Sequence, residues 1–214
     1  MDFNFNVNMD RRDVLRIYQP YELGVMSFES ALTGKSLEEL AKLCMEVDCD
    51  LEKSPAIEGV VRQESFTRYI GTYAGETGEI NHPKYAVLKR IALEYTQRVY
   101  NKVAMVAGFT PSHLINSIGI HKYPAAGGGI ELHRDYKKDK NLVGALSIAG
   151  EADFLLSKAR EGAYVDKTRL KPGKLVLMRH PRNSQEYDMR PFHAVQGIGQ
   201  DRYSIIFRER ESEL

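Results

Sequence analysis

The sequence predicts an α+β protein with a mainly β core, an antiparallel sandwich or barrel that follows a helical N-terminal half. Three observations carry that expectation. Apolar residues at helical spacing are confined to residues 1–110. About eight strand-length segments, separated by turn signals, crowd into residues 114–210. No helical pattern lies between those segments, which argues against the strand–helix alternation of a Rossmann fold.

The elements follow in chain order. Residues 1–13, MDFNFNVNMDRRD, have neither the basic n-region nor the apolar h-region of a signal peptide. Ser36-Leu37-Glu38-Glu39 reads as a helix start, with Ser36 as cap and Glu39 closing a capping box. Leu37, Leu40, Ala41 and Cys44 then keep helical spacing. Residues 59–80, with Arg62, Arg68, Tyr69 and Tyr73 among glycines, read as a hairpin or lid. The longest helix is expected over 84–107, after Pro83, because Leu88, Ile91, Tyr95, Val99, Val103 and Val106 recur at steps of three and four. Such a stripe packs on a sheet. Thr110-Pro111-Ser112 ends it. Strands are expected at 115–123, 130–135, 142–148, 153–157, 164–170, 174–179, 193–196 and 202–208, broken by AAGGG, KKDK, AGE, REG, KPG, HPRN and GIGQD.

Composition excludes several classes of function. The 214 residues are 43% hydrophobic and 28% charged, ordinary for a globular chain. With 30 Lys+Arg against 29 Asp+Glu the formal net charge is +1, so there is no strongly basic nucleic-acid tail, although a local basic patch fits within that balance. No apolar run approaches the roughly 20 residues of a membrane span. Cys44 and Cys49 are too few for a disulfide scaffold or a four-thiolate zinc site, which leaves a reducing cytoplasm as the default compartment.

Chemistry concentrates in the β half. In Glu131-Leu132-His133-Arg134-Asp135, residues i and i+2 of a strand project to one face, so His133 and Asp135 could share an ion. The segment Arg202-Tyr203-Ser204-Ile205-Ile206-Phe207-Arg208 alternates. Tyr203, Ile205 and Phe207 make an apolar face, and Arg202, Ser204 and Arg208 share the other. Arginines facing into a barrel need an anion, and a guanidinium suits a carboxylate. His193 lies nine residues before Arg202. Two histidines and a carboxylate form the facial triad of non-haem Fe(II) oxygenases. A dicarboxylate co-substrate would account for the arginines.

These residues resemble the 2-oxoglutarate/Fe(II)-dependent dioxygenase superfamily, and most closely its AlkB-like branch. Pro172-Gly173-Lys174-Leu175-Val176-Leu177-Met178 is similar to that branch's G-S-L-L-x-M strand. Phe192-His193 resembles its second histidine ligand, after the turn at His180-Pro181, and RYSIIFR resembles its R-x-N-L-T-F-R strand. Ile120-His121-Lys122-Tyr123 resembles the N-x-Y strand. Arg62, Tyr69 and Tyr73-Ala74-Gly75 resemble the pre-helical segment. His121 and Ser204 stand where the branch has asparagines, and R-x-S also occurs in small-molecule oxygenases of the superfamily. The resemblance covers about residues 60–210. It implies a double-stranded β-helix of the jelly-roll or cupin-like kind, buttressed by N-terminal helices. Residues 1–58 then form an N-terminal helical extension, and 59–214 the dioxygenase domain.

For the site, the resemblance implies that His133, Asp135 and His193 hold Fe(II). Arg202, with Ser204 and Tyr123, pairs the distal carboxylate of 2-oxoglutarate. Arg208 approaches the carboxylate at the iron end, although an ideal strand places it about 20 Å beyond Arg202. O2 is the oxidant. The expected reaction is dealkylation of a modified nucleobase in DNA or RNA, a DNA-repair type of chemistry. The alternatives are hydroxylation of a small metabolite or a protein side chain, or a non-catalytic ligand-binding barrel. His180 is a rival third ligand. His82 and His113 read as surface residues, and His121 as either pocket-lining or core. Lys137, Lys138 and Lys140 form a solvated turn or a phosphate-contacting rim. Tyr69 and Tyr73 could stack on a base or pack the sheet edge.

Overall fold

Strands of the C-terminal half carry apolar side chains on both faces, and such strands must be covered on both sides. In the structure, a computed structural model, helices cover one face and a second sheet covers the other. The described residues are 3–19, 22–54, 63–71, 83–111, 115–125, 127–180, 188 and 190–210.

The N-terminal half supplies α1 (Arg11–Ile17), β1 (Val25–Phe28), α2 (Gly34–Glu46), β2 (Glu52–Lys53), β3 (Gln63–Glu64), β4 (Phe66–Gly71), α3 (Ala86–Tyr95) and α4 (Asn101–Ala107). Eight strands follow: β5 (Ser117–Tyr123), β6 (Gly129–His133), β7 (Asp139–Ala149), β8 (Ala152–Ser157), β9 (Tyr164–Leu170), β10 (Leu175–Arg179), β11 (Phe192–Gln196) and β12 (Arg202–Arg210). They build a seven-stranded sheet, β1-β10-β7-β12-β5-β4-β2, and a five-stranded sheet, β3-β6-β11-β8-β9. The pairings are antiparallel.

The period-two alternation of each strand assigns its residues to one of two cores. Ile118, Ile120, Leu142, Leu146, Leu175, Leu177, Ile205 and Phe207 pack with the helices. Tyr123, Val143, Val176, Met178 and Ile206 of the large sheet instead face Ile130, Phe154, Leu156 and Val195 of the small one. The candidate site lies among this second set, between the sheets.

Four local expectations change. The second helix starts at Gly34 with Thr33 at its N-cap, so Ser36 lies inside the first turn and not at the cap. Gly34 enters the helix at φ +60°, a turn that glycine takes without a Cβ clash. The long helix is not uniform: Pro83–Tyr85 is a 3₁₀ turn and Thr96–Tyr100 a π turn between α3 and α4. Within it the Thr96 hydroxyl donates to the Ala92 carbonyl at 2.7 Å and accepts from the Ile115 amide at 3.2 Å, so a side chain competes for the helix's own carbonyl. Strand β6 ends at His133, which leaves Asp135 in the following turn. Four short strands occur in the N-terminal half, where helical patterns dominate the sequence. One of them, β1, pairs with β10, while Phe3 and Phe5 are buried in the helix-side core. The boundary expected at 58/59, most of the 59–80 segment with Arg62 and Tyr73, His82, His113 and Pro181 lie outside the described residues.

Candidate metal centre and anion site

Pairing of β6 with β11 sets His133 directly opposite His193, with ring centroids 4.3 Å apart. Asp135 folds back from the turn so that Oδ1 lies 4.0 Å from His133 Nε2 and Oδ2 lies 4.0 Å from His193 Nε2. One ligand atom from each residue lies within 4.8 Å of the others, close enough for a single ion to reach all three. The pair therefore converges, as expected, by a turn and not by sharing a strand face.

Backbone carbonyls set the imidazole tautomers. His133 Nδ1 lies 2.8 Å from the Glu131 carbonyl and His193 Nδ1 lies 3.2 Å from that of Pro191. A carbonyl only accepts, so each Nδ1 carries the proton and each Nε2 presents a lone pair. Burial, then the neighbouring His193, pushes the His133 pKa down to about 3, and burial pushes His193 down as well. Burial works upward on Asp135, but the contact with His180 and the nearby His193 and Arg208 outweigh it and hold the carboxyl well below its usual range. At neutral pH the three groups are two neutral imidazoles and a carboxylate, the protonation states in which they ligate a metal. His180 Nε2 approaches Asp135 Oδ2 to 3.7 Å, so the rival histidine contacts a member of the triad.

The anion site comes from the large sheet. Arg202 is 2% exposed. Its Nη2 donates to Ser147 Oγ at 3.1 Å and its Nη1 to Ser204 Oγ at 3.5 Å, and its guanidinium carbon lies 5.3 Å from the centre of the Tyr123 ring. Cross-strand register places these groups, since Arg202 faces Tyr123 across β12–β5 and Ser204 faces Ser147 across β12–β7. Among the described residues no carboxylate pairs with Arg202, and its Nε has no hydrogen-bond partner. A buried guanidinium held only by hydroxyls and a ring face is matched to an incoming anion.

Arg208 reaches the metal end. Its Nη2 lies 3.8 Å from Asp135 Oδ1, in a strand whose register against β7 shifts between Phe207 and Glu209. The shift locally departs from the ideal strand on which the 20 Å expectation rests. Tyr69 lies under two guanidinium groups, with Arg208 and Arg210 carbons 5.4 and 5.0 Å from its ring centre, and meets His121 edge-on. His121 lines the cavity, and burial, then Arg208, pushes its pKa well down. Lys137 and Lys138 are exposed on the turn after Asp135.

Sequence reasoning missed three residues here. Ser147 sits in an apolar run, and only the β12–β7 register brings it to Arg202. Arg190 forks onto Asp188 at 2.8 and 2.6 Å and also donates to the Asp135 carbonyl, bracing the ligand turn. Asp139, fully buried, binds both Arg208 and Arg210. The one available signal for Asp139 was its place four residues after Asp135.

No family model matches the chain, and no curated protein matches its sequence. Among solved structures it is similar to a prolyl hydroxylase from Trichoplax adhaerens in complex with a hypoxia inducible factor oxygen degradation domain peptide fragment, at 12% identity over 94% of this chain and 90% of that one, with a TM-score of 0.60. It is similar to OsALKBH1 at 14% identity over 87% and 97% of the two chains, with a TM-score of 0.59. A Pseudomonas putida prolyl-4-hydroxylase matches at 16% identity over 88% and 93%, with a TM-score of 0.53. At these identities the likeness is one of fold. The shared architecture is the double-stranded β-helix that the sequence motifs imply.

Proposed function

We propose that the chain is an Fe(II)- and 2-oxoglutarate-dependent dioxygenase. One observation carries the reading: a single cavity joins three groups in ligating protonation states to a buried guanidinium with no carboxylate partner among the described residues. His133, Asp135 and His193 would hold the iron. Arg202, Ser204 and Tyr123 would hold the distal carboxylate of 2-oxoglutarate, with Arg208 near the other end. When bound, iron and co-substrate supply O2 activation coupled to oxidation of 2-oxoglutarate to succinate and CO2. The chain's own residues do the positioning. The Glu131 and Pro191 carbonyls fix the imidazoles, the two serine hydroxyls aim Arg202, and Val176, Met178, Phe154 and Ile206 keep water from the cavity wall.

For the substrate, the sequence resemblance favours dealkylation of a nucleobase in alkylated DNA or RNA. Tyr69 favours the second reading, hydroxylation of a protein side chain or small molecule. Arg208 and Arg210 already lie against its ring, at 5.4 and 5.0 Å from the ring centre, and would compete with a base for stacking there. The likeness to two prolyl hydroxylase structures supports that second reading.

The test is succinate release from Fe(II), 2-oxoglutarate and O2 over a panel of methylated nucleosides and oligonucleotides, proline-containing peptides and amino acids. Formaldehyde accompanying succinate with a methylated base supports dealkylation, and turnover with a peptide or amino acid supports hydroxylation. A protein that neither binds a divalent metal nor consumes 2-oxoglutarate overturns the dioxygenase reading.

A further inference from the structure

We propose that Asp139 is a positioning residue of the metal centre: it holds the Arg208 guanidinium away from Asp135 and so leaves the Asp135 carboxylate available to a metal ion. The inference rests on the metal-binding reading above.

Asp139 is 0% exposed. It opens β7, and its backbone amide donates to the Tyr136 carbonyl at 3.1 Å, so the turn that carries Asp135 ends on it. Its two oxygens are divided between two cations. Oδ1 accepts from Arg210 Nε at 3.0 Å, and Oδ2 lies 3.1 Å from Arg208 Nε. Arg208 in turn faces two carboxylates with different nitrogens, Nε toward Asp139 at 3.1 Å and Nη2 toward Asp135 at 3.8 Å.

The closer carboxylate restrains Arg208. The Asp139 ion pair, at 3.1 Å, is the shorter of the two, and the Asp135 contact at 3.8 Å lies well beyond the roughly 2.7–2.9 Å that charge-assisted contacts favour. In a buried site, where charges are poorly screened, a guanidinium and a metal ion compete for the same carboxylate oxygen. Neutralising Asp139 removes the restraint. Asp135 then remains as a carboxylate that Arg208 faces, and closing that 3.8 Å gap needs about an ångström of side-chain movement. A metal ion would have to displace it. Outer partners of metal ligands commonly change affinity 10- to 100-fold when altered.

The experiment is cobalt(II) titration of the metal-stripped full chain, followed by calorimetry and by the visible absorption of the bound ion, for the parent and for Asp139→Asn, Arg208→Gln and the double variant. Asp139→Asn is expected to weaken cobalt binding about tenfold or more. Arg208→Gln is expected to bind at least as tightly as the parent, and adding Asp139→Asn to it to change affinity less than about twofold. A purely structural Asp139 would cost affinity equally in both backgrounds, and that result overturns the proposal, as does an Asp139→Asn variant equal to the parent. Should Asp139→Asn fail to fold, Arg208→Gln alone decides: tighter or equal binding supports the restraint, and weaker binding overturns it. Failure of the underlying metal reading looks different, because then the parent itself binds no cobalt or His133→Ala binds it equally well.

Discussion

Arg202 shows how one side chain's surroundings point to its partner. A guanidinium removed from water without a counter-charge is costly to the fold, and Ser147, Ser204 and the Tyr123 ring offset only part of that cost because none carries charge. The same three contacts fix the direction in which the remaining donors point. Arg202→Gln is therefore expected to weaken 2-oxoglutarate binding by about 1.5–3 kcal/mol, roughly ten- to a hundredfold, the worth of a charge-assisted contact. Metal affinity should stay within about twofold, since Arg202 belongs to the opposite sheet from the imidazoles. Titrating metal-loaded protein with 2-oxoglutarate checks this, and an unchanged affinity moves the anion site elsewhere. His133→Ala should behave in the opposite way. It removes a ligand, so cobalt binding and 2-oxoglutarate consumption should both be lost, and turnover that survives would sink the assignment of the triad.

Elements were legible where a face had one duty and illegible where a local side chain or a turn intervened. Residues 202–208 read correctly because Tyr203, Ile205 and Phe207 all face the helices while Arg202, Ser204 and Arg208 face the cavity. His133, Asp135 and His193 do come together, but not by the strand geometry expected of them. Asp135 reaches His133 through a turn, and sequence spacing cannot separate a final strand residue from the first residue past it. The stripe from Leu88 to Val103 forecast a sheet-packing helix, yet gave no warning of the π turn, because Thr96 acts through hydrogen bonds and not through apolarity. Gly144 was invisible for a related reason, since a glycine in an apolar strand carries no pattern of its own. A Cβ there would meet Tyr95 Oη at 2.4 Å, where Tyr95 stacks on Phe207 at 4.3 Å. Glycine thus permits α3 to seat on β7. Gly144→Ala should cost about 1–3 kcal/mol of stability through overpacking, measured by urea unfolding. A variant as stable as the parent would show that Tyr95 can move without loss.

Across the whole molecule the two halves of the candidate site come from different sheets, the imidazoles from β6 and β11 and the arginines from β12. A co-substrate that touches both would tie the sheets together. Metal plus 2-oxoglutarate should therefore raise the melting temperature above metal alone, and an equal melting temperature would mean that the anion is not bound between the sheets. The same cavity makes the metal-free protein acid-sensitive. Its histidines are held neutral: His133 is depressed from 6.5 to about 3, and His193 and His121 are depressed in the same direction, each chiefly by burial. Below about pH 6.5 the unfolded chain takes up protons at these positions while the folded chain does not. Proton binding then favours unfolding, and stability falls as the pH falls. Between pH 6.5 and 5 His133 alone should cost about 2 kcal/mol, and His193 and His121 add to it. The depressed carboxylates, Asp135 and Asp188, act only lower, because their stabilising contribution is lost as pH drops below the ordinary carboxylate value of 3.8. The window from pH 6.5 to 5 thus isolates the histidines. Urea midpoints of metal-stripped protein should decline steadily through it, and His121→Asn, which removes a cavity-lining imidazole with Arg208, Asp135, Arg202 and Arg210 around it, should flatten the decline. A midpoint constant from pH 6.5 to 5 would mean that these imidazoles meet water, and with that the dry, neutral ligand set on which the metal reading depends would be gone.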